Sequence, residues 1–143
     1  MSVPVTVDVA FRAFQNLDRL LNRGIYDKVT WVEGAPWQVG SRVRYDCARP
    51  FKASIAAVVM AISPPRSIDL INHALGVTAE QHVSFGPDLK GGTRIRVTMH
   101  LIGKSTERPE SEIEEAVTFL IHDALATVVA LCCKPQAGSA QAM

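Results

Sequence analysis

The sequence predicts an α+β fold: a half-buried antiparallel sheet with a long C-terminal helix laid across it. Three observations carry that prediction. Five stretches between residues 41 and 103 alternate apolar and polar residues with period two, the repeat of a strand with one wet face. Short turn-forming runs separate them, which favours antiparallel hairpins over crossover connections. The chain then carries apolar residues at helical spacing from 111 to 133, a stripe that needs a partner surface.

Taken in order, residues 3–7, "VPVTV", read as a short first strand. From Asp8 to Asn22, "DVAFRAFQNLDRLLN" places Val9, Ala10, Phe14, Leu17, Leu20 and Leu21 on one helical stripe, with Asp8 as N-cap and Gly24 as the stop. A break near Asn16 divides it into two short helices. The strands follow at 41–49, 53–63, 66–74, 78–86 and 92–103, joined through "RPFK", "SPPR", "LGV" and "GPDLKGG". Ser111 with Glu114 three residues later has the form of a capping box for the last helix. Its proline-led sequel, "KPQAGSAQAM" (134–143), reads as a flexible tail. The expected organisation is one domain over 1–133 plus that tail.

Bulk properties narrow the function classes. With 143 residues the chain is long enough to bury a core, and 48% apolar against 20% charged residues is a globular balance. A net charge of +1 with mixed signs leaves no basic stripe, which argues against nucleic acid. Three cysteines, an odd count, do not make a disulfide framework and point to a reducing, cytoplasmic setting. No signal peptide is evident, and no run approaches the ~18 apolar residues of a membrane span.

A register test assigns the faces. Centring the first hairpin between Pro50 and Phe51 pairs Tyr45 with Ala56 and Val43 with Val58. Centring the second on Pro65 pairs Met60 with Leu70, Val58 with Asn72 and Ala56 with Ala74. A turn at Gly76-Val77 pairs Asn72 with Gln81 and Leu70 with Val83; centring the last on Lys90 pairs Gln81 with Met99, Val83 with Val97 and Phe85 with Ile95. The inward face then gathers the aliphatics, while Arg42, Arg44, Asp46, Asp69, Glu80, Arg94 and Arg96 fall on the other. Small residues (Ala56, Ala74, Ala79) near Tyr45, and two inward amides, Asn72 and Gln81, suit a ligand cavity. The competing reading is that the amides bond each other and the alanines make room for the helix.

Here the chain resembles the START-like (SRPBCC) superfamily, with the helix-grip fold of pollen-allergen-like and bacterial polyketide cyclase/dehydrase-like proteins. The resemblance rests on "VPVTVDVAF", "WVEGAPWQVGSRVRY", "ISPPRSIDL", "HVSFGPDLKGGTRIRV", Gly103 and the long final helix, across residues 3–133. Gly40 and Gly92-Thr93 match the glycine before the sheet and the "GT" after the late hairpin. The resemblance implies a curved antiparallel sheet wrapped around the last helix, two short helices after the first strand, and an internal cavity for hydrophobic ligands. It also implies a role for "VTWVEGAPWQVG" (29–40), which holds both tryptophans. Trp31 and Trp37 would flank the mouth, unless they close the core. The short first strand departs from the pattern.

The expected ligand-binding set is therefore Trp31, Trp37, Tyr45, Ala56, Val58, Met60, Leu70, Asn72, Ala74, Gln81, Val83, Val97 and Met99, with Val117, Leu120, Ile121 and Ala124 from the final helix. No catalytic set can be assembled. His73, Glu80 and His100 form an outer row without a fourth ligand, read as solvated polar residues rather than a metal site; no metal and no cofactor are expected. His122 reads as exposed and Asp123 as a rim residue. Cys132-Cys133, with no cation nearby, suggests burial or a subunit contact. Two function classes result: a binding protein for a small hydrophobic molecule (a lipid or an aromatic, polyketide-like metabolite), or a cyclase/dehydratase-type enzyme using the same cavity. The apolar "IAAVVMA" strand and the helix end leave a homodimer as a further possibility.

Overall fold

Pro4 stops the first strand almost as it starts, because a proline has no N–H to give the ladder. The computed structural model, which describes residues 1–133, has β1 at Ser2–Val3 only, paired with the late strand residues Thr93 and Arg94. Residues 134–143, expected as a tail, lie outside the described residues. The first helix, α1 (Val7–Gln15), begins after Thr6, so Asp8 sits in the first turn rather than at the cap. The expected break falls at Asn16. Its extended backbone ends α1, and its side chain accepts from the Asp18 amide to start a 3-10 helix at Leu17–Leu20.

The sheet has seven antiparallel strands in the order β1-β7-β6-β5-β4-β3-β2. Its long strands are β2 (Tyr26–Glu33), β3 (Arg42–Cys47), β4 (Ala53–Ser63), β5 (Ser67–Ala74), β6 (Val77–Pro87) and β7 (Thr93–Ile102). The strand β2 is absent from the sequence reading. Register irregularities between Tyr26 and Lys28 and between Trp31 and Glu33 break its alternation, so no period of two is visible in "YDKVTWVE".

The registers correct three hairpins. In β3–β4, Tyr45 faces Ile55 and Val43 faces Ala57. The loop between Cys47 and Ala53 is centred on Pro50 itself, and that one-residue slip turns every β4 side chain over. Ala57 and Val59 are thus fully buried, whereas Ala56 and Met60 are exposed and Val58 points outward with them. In β4–β5 the expected partners Met60–Leu70, Val58–Asn72 and Ala56–Ala74 give way to Val59–Leu70, Ala57–Asn72 and Ala56–His73; a bulge at Met60, between Val59 and Ala61, then restores the phase, so Ile62 meets Ile68. The segment is apolar on both faces, which is why its pattern does not choose. In β5–β6 the turn is Leu75-Gly76, both with positive φ (56° and 81°), the geometry of a two-residue hairpin. Asn72 then faces Ala79 and Leu70 faces Gln81. That is a two-residue shift from the expectation, so faces are kept. The β6–β7 pairs are as read: Gln81 with Met99, Val83 with Val97, Phe85 with Ile95.

The last helix, α2, runs Glu110–Cys133, which puts Ser111 inside the first turn rather than at the cap. Contrary to the sequence reading, α2 is long and apolar enough, by length and composition, to cross a membrane. In this fold it is the core helix: Val128 is fully buried among Phe11, Phe14, Ile68, Val83, Phe85 and Ile95. Phe11 and Phe14 meet Phe85 edge-on at 5.1 and 5.7 Å, a favoured aromatic geometry. The space beneath the C-terminal half of α2 is therefore filled by α1. Beneath its N-terminal half nothing comparable intrudes.

Candidate ligand-binding cavity

That unfilled space is a cavity of about 160 Å³ between the sheet and α2. The lining is buried at Phe14, Arg19, Leu20 and Tyr26 and reaches solvent at Pro50 and Phe51 of the β3–β4 turn, Leu75 of the β5–β6 turn, and Leu101. The exposed part of the lining thus lies among the hairpin turns. Arg108, just before α2, stacks its guanidinium 3.9 Å over the Phe51 ring and holds that turn in place.

From the sheet, the structure brings Tyr45, Leu70, Asn72, Ala74, Gln81, Val97 and Met99 to this cavity. From α2 it brings Val117, Leu120, Ile121 and Ala124. The remaining six expected residues do not line it. Ala56, Val58 and Met60 are on the outer face for the register reason above. Val83 is sealed in the filled part of the core. Trp31 and Trp37 stack edge-to-face at 5.2 Å and pack against the α1 end of the core. Trp37 Nε1 donates to Gln15 O at 2.8 Å, which ties β2's exit loop to the end of α1. Both tryptophans close the core instead of framing a mouth.

The two amides do bond each other: Asn72 Nδ2 donates to Gln81 Oε1 at 3.0 Å, across the diagonal created by the shifted register. Asn72 also approaches Ala79 O at 3.4 Å. Part of their hydrogen-bonding capacity is thus met without a ligand, while both still line the cavity.

Sequence reasoning missed the polar end. Arg19, in "LDRLL", belongs to the 3-10 helix, whose tighter winding turns it inward; it is only 8% exposed. Its Nε donates to Ala13 O (3.2 Å), Nη1 to Thr127 Oγ1 (2.8 Å) and Ala124 O (3.5 Å), and Nη2 to Phe14 O (3.1 Å). Its guanidinium also lies 4.9 Å over the Phe14 ring. Burial lowers its pKa to about 10, so it stays a cation at neutral pH. Tyr26 was missed with β2. Desolvation raises its pKa well above that of a free phenol, and pushes Tyr45 up to about 12. Tyr45 keeps accessible surface although it lies deep, the pattern of a side chain facing an internal void. Cys47, also in the lining, is pushed up to about 12 by burial first and then by Asp46, so its thiol holds its proton.

Among the described residues the outer face holds no comparable constellation. His73 Nδ1 pairs with Thr78 Oγ1 at 3.0 Å, and Glu80 stands between Ile71 and His100, so the expected His73–Glu80–His100 row does not form. Among the described residues no three His, Cys, Asp or Glu groups cluster as metal ligands. His122 is exposed. Asp123 is buried, ion-paired to Arg23, with its second carboxylate oxygen unpartnered among the described residues.

Sheet and helix define the class of the molecule: it has the START-like helix-grip fold of Bet v 1-like proteins. The chain is similar to the crystal structure of Ara h 8.0201, with a TM-score of 0.77 at 13% identity over 94% of this chain and 95% of that one. It is similar to a conserved protein from Geobacillus kaustophilus, with a TM-score of 0.70, 16% identity and coverage of 94% and 92%. It also matches DynU16, from the dynemicin biosynthetic locus, with a TM-score of 0.61 and 19% identity over 90% of this chain and 44% of that one. No protein-family model matches the chain, and no curated protein matches it in sequence.

Proposed function

We propose that the protein binds a small hydrophobic molecule, a lipid or an aromatic metabolite, in the cavity between the sheet and α2. The observation that carries this reading is the cavity itself: an apolar chamber in a fold whose other half is packed solid. Empty space of that size is costly in a core, since lost contacts destabilise by roughly 24 cal/mol per Å³. A ligand that restores those contacts is favoured to bind. Eleven of the expected residues, Tyr45 through Ala124 in sequence, are proposed as its contacts. The free thiols Cys47, Cys132 and Cys133 suit a reducing, cytoplasmic setting, which belongs to the same proposal.

The alternative, a cyclase/dehydratase-type enzyme, needs a group to move protons. Among the described residues the lining contains no carboxylate and no imidazole, and its one thiol is held protonated. Binding is the better supported reading. The test is an uncharged, environment-sensitive apolar dye, expected to bind near one per chain. Ala74→Trp, which puts an indole into the lining, should abolish the signal while the far-UV circular dichroism is unchanged. Undiminished dye binding in that variant would refute the location.

A further inference from the structure

Resting on that reading, the buried polar end specifies what the ligand carries. We infer that the cavity takes a small carboxylic acid, with an aromatic or short aliphatic body, whose carboxylate meets the Arg19 guanidinium and is met by the hydroxyls of Tyr26 and Tyr45.

The argument begins with an imbalance of charge. Arg19 is more than nine-tenths buried, lines the cavity, and is a cation. All its hydrogen-bond partners are neutral: three main-chain carbonyls and the Thr127 hydroxyl. Those bonds engage Nε and Nη1 and one hydrogen of Nη2, and the other Nη2 hydrogen has no acceptor among the described residues. No carboxylate pairs with it there either. Asp123, whose field reaches Arg19, is already held by Arg23. Buried charges in proteins are ordinarily paired. Here four oxygens fix the guanidinium in place, and no carboxylate among the described residues is hydrogen-bonded to it, beside an apolar cavity.

A second, independent observation points the same way. Neither the Tyr26 nor the Tyr45 hydroxyl has a hydrogen-bond partner among the described residues, although both side chains line the cavity. Buried phenols usually find one. Neither oxygen is sealed off, since Asp123 Oδ2 is the only fully enclosed, unpartnered side-chain atom described. Both hydroxyls stay protonated in this setting and sense the charge of Arg19. A cation and two phenolic donors in the lining of one apolar chamber are complementary to a carboxylate, and charge-assisted bonds of this type are about twice as strong as neutral ones.

Size sets the rest of the molecule. The cavity volume of about 160 Å³ is close to the ~150 Å³ of an engineered apolar cavity that admits benzene. One ring, or a chain of comparable bulk, fits with the carboxylate directed at Arg19. A fused multi-ring body does not.

The probes are 3-phenylpropanoate, 3-phenylpropanamide and the methyl ester of the same acid, titrated into the intact protein at pH 7 and followed by amide chemical shifts. The acid is expected to bind at least 10-fold more tightly than the amide or the ester. Shifts should include residues 19, 26 and 45. Arg19→Met should abolish that preference while the ester still binds; should that variant fail to fold, Tyr45→Phe supplies the second arm, reducing the preference and sparing the ester. Equal affinity for all three probes in the unaltered protein overturns the carboxylate inference and leaves the hydrophobic cavity standing. Ester and amide binding more tightly than the acid does the same. Binding of none of the three overturns both readings together.

Discussion

Trp37 illustrates how much one side chain can mislead. In the sequence it stands beside a Gly-Ala-Pro turn and invites an entrance role. In the structure its indole N–H reaches Gln15 O, and its ring packs on Trp31 against the core. Its own backbone has φ 61°, a conformation unusual for a bulky residue, which the side chain's contacts hold in place. Trp37→Ala is therefore expected to cost roughly 3 kcal/mol, as for other truncated aromatics in packed sites, measured by urea denaturation. A cavity ligand should leave the tryptophan emission maximum where it is, because neither indole touches the cavity. Arg19 is the opposite case. An arginine among leucines on a supposed helix reads as solvent-facing, and only the change of winding after Asn16 turns it toward Thr127 and the cavity.

At the scale of elements, β4 is the point where pattern and structure part. "ASIAAVVMAIS" is apolar on both faces, so alternation alone accepts either register. The decision lies in the loop from Cys47 to Ala53 and the bulge at Met60, neither of which has a strong residue signature. The register makes a sharp claim about neighbours in sequence. Met60→Lys places a charge on the exposed outer face and is expected to change stability by no more than about 0.5 kcal/mol. Val59→Lys places the same charge in the sealed core beside Leu70 and should unfold the protein. Urea midpoints of the two variants check this, and the reverse ranking would rule out the observed pairing. The β6–β7 hairpin shows what makes a register readable: apolar residues face in and charged ones out on both strands, so a slip would bury arginines.

At the scale of the molecule, the cavity's polar end should govern stability at high pH. Tyr26, Tyr45 and Cys47 all have folded pKa values raised above their unfolded ones by burial. Between the unfolded thiol and phenol values of 9.0 and 10.0 and the folded values of about 12 and above, the unfolded chain releases protons that the folded chain retains. Stability is therefore full below about pH 9 and is lost as pH rises beyond it. Arg19 opposes this, since its folded pKa of about 10 lies below its unfolded 12.5 and contributes a rise in stability across that interval. Three groups against one give a net fall. Thermal unfolding followed from pH 8 to pH 11 should show a declining Tm, and the double change Tyr26→Phe with Tyr45→Phe should flatten it.

What the sequence determined by itself is the α+β class, the break at Asn16, the faces of β5, β6 and β7, and the long apolar helix. These are properties of local spacing: a period of two or of about 3.6 is written in consecutive residues and needs no partner to be recognised. Strand and helix periods put Tyr45, Asn72 and Gln81 on the inward face and gave the Val117–Ala124 stripe, while the cavity between them was what the resemblance to the START-like superfamily implied. Tertiary structure alone decided the rest. A bulge or a loop's parity changes which face a strand buries without changing its composition, and this moved Ala56, Val58 and Met60 outside. Packing of α1 against α2 decided which half of the core is solid and so where the tryptophans went. The meeting of Arg19, Tyr26 and Tyr45 joins a 3-10 turn to two strands, three segments whose convergence no spacing in the chain records, because it depends on how the helix lies across the sheet.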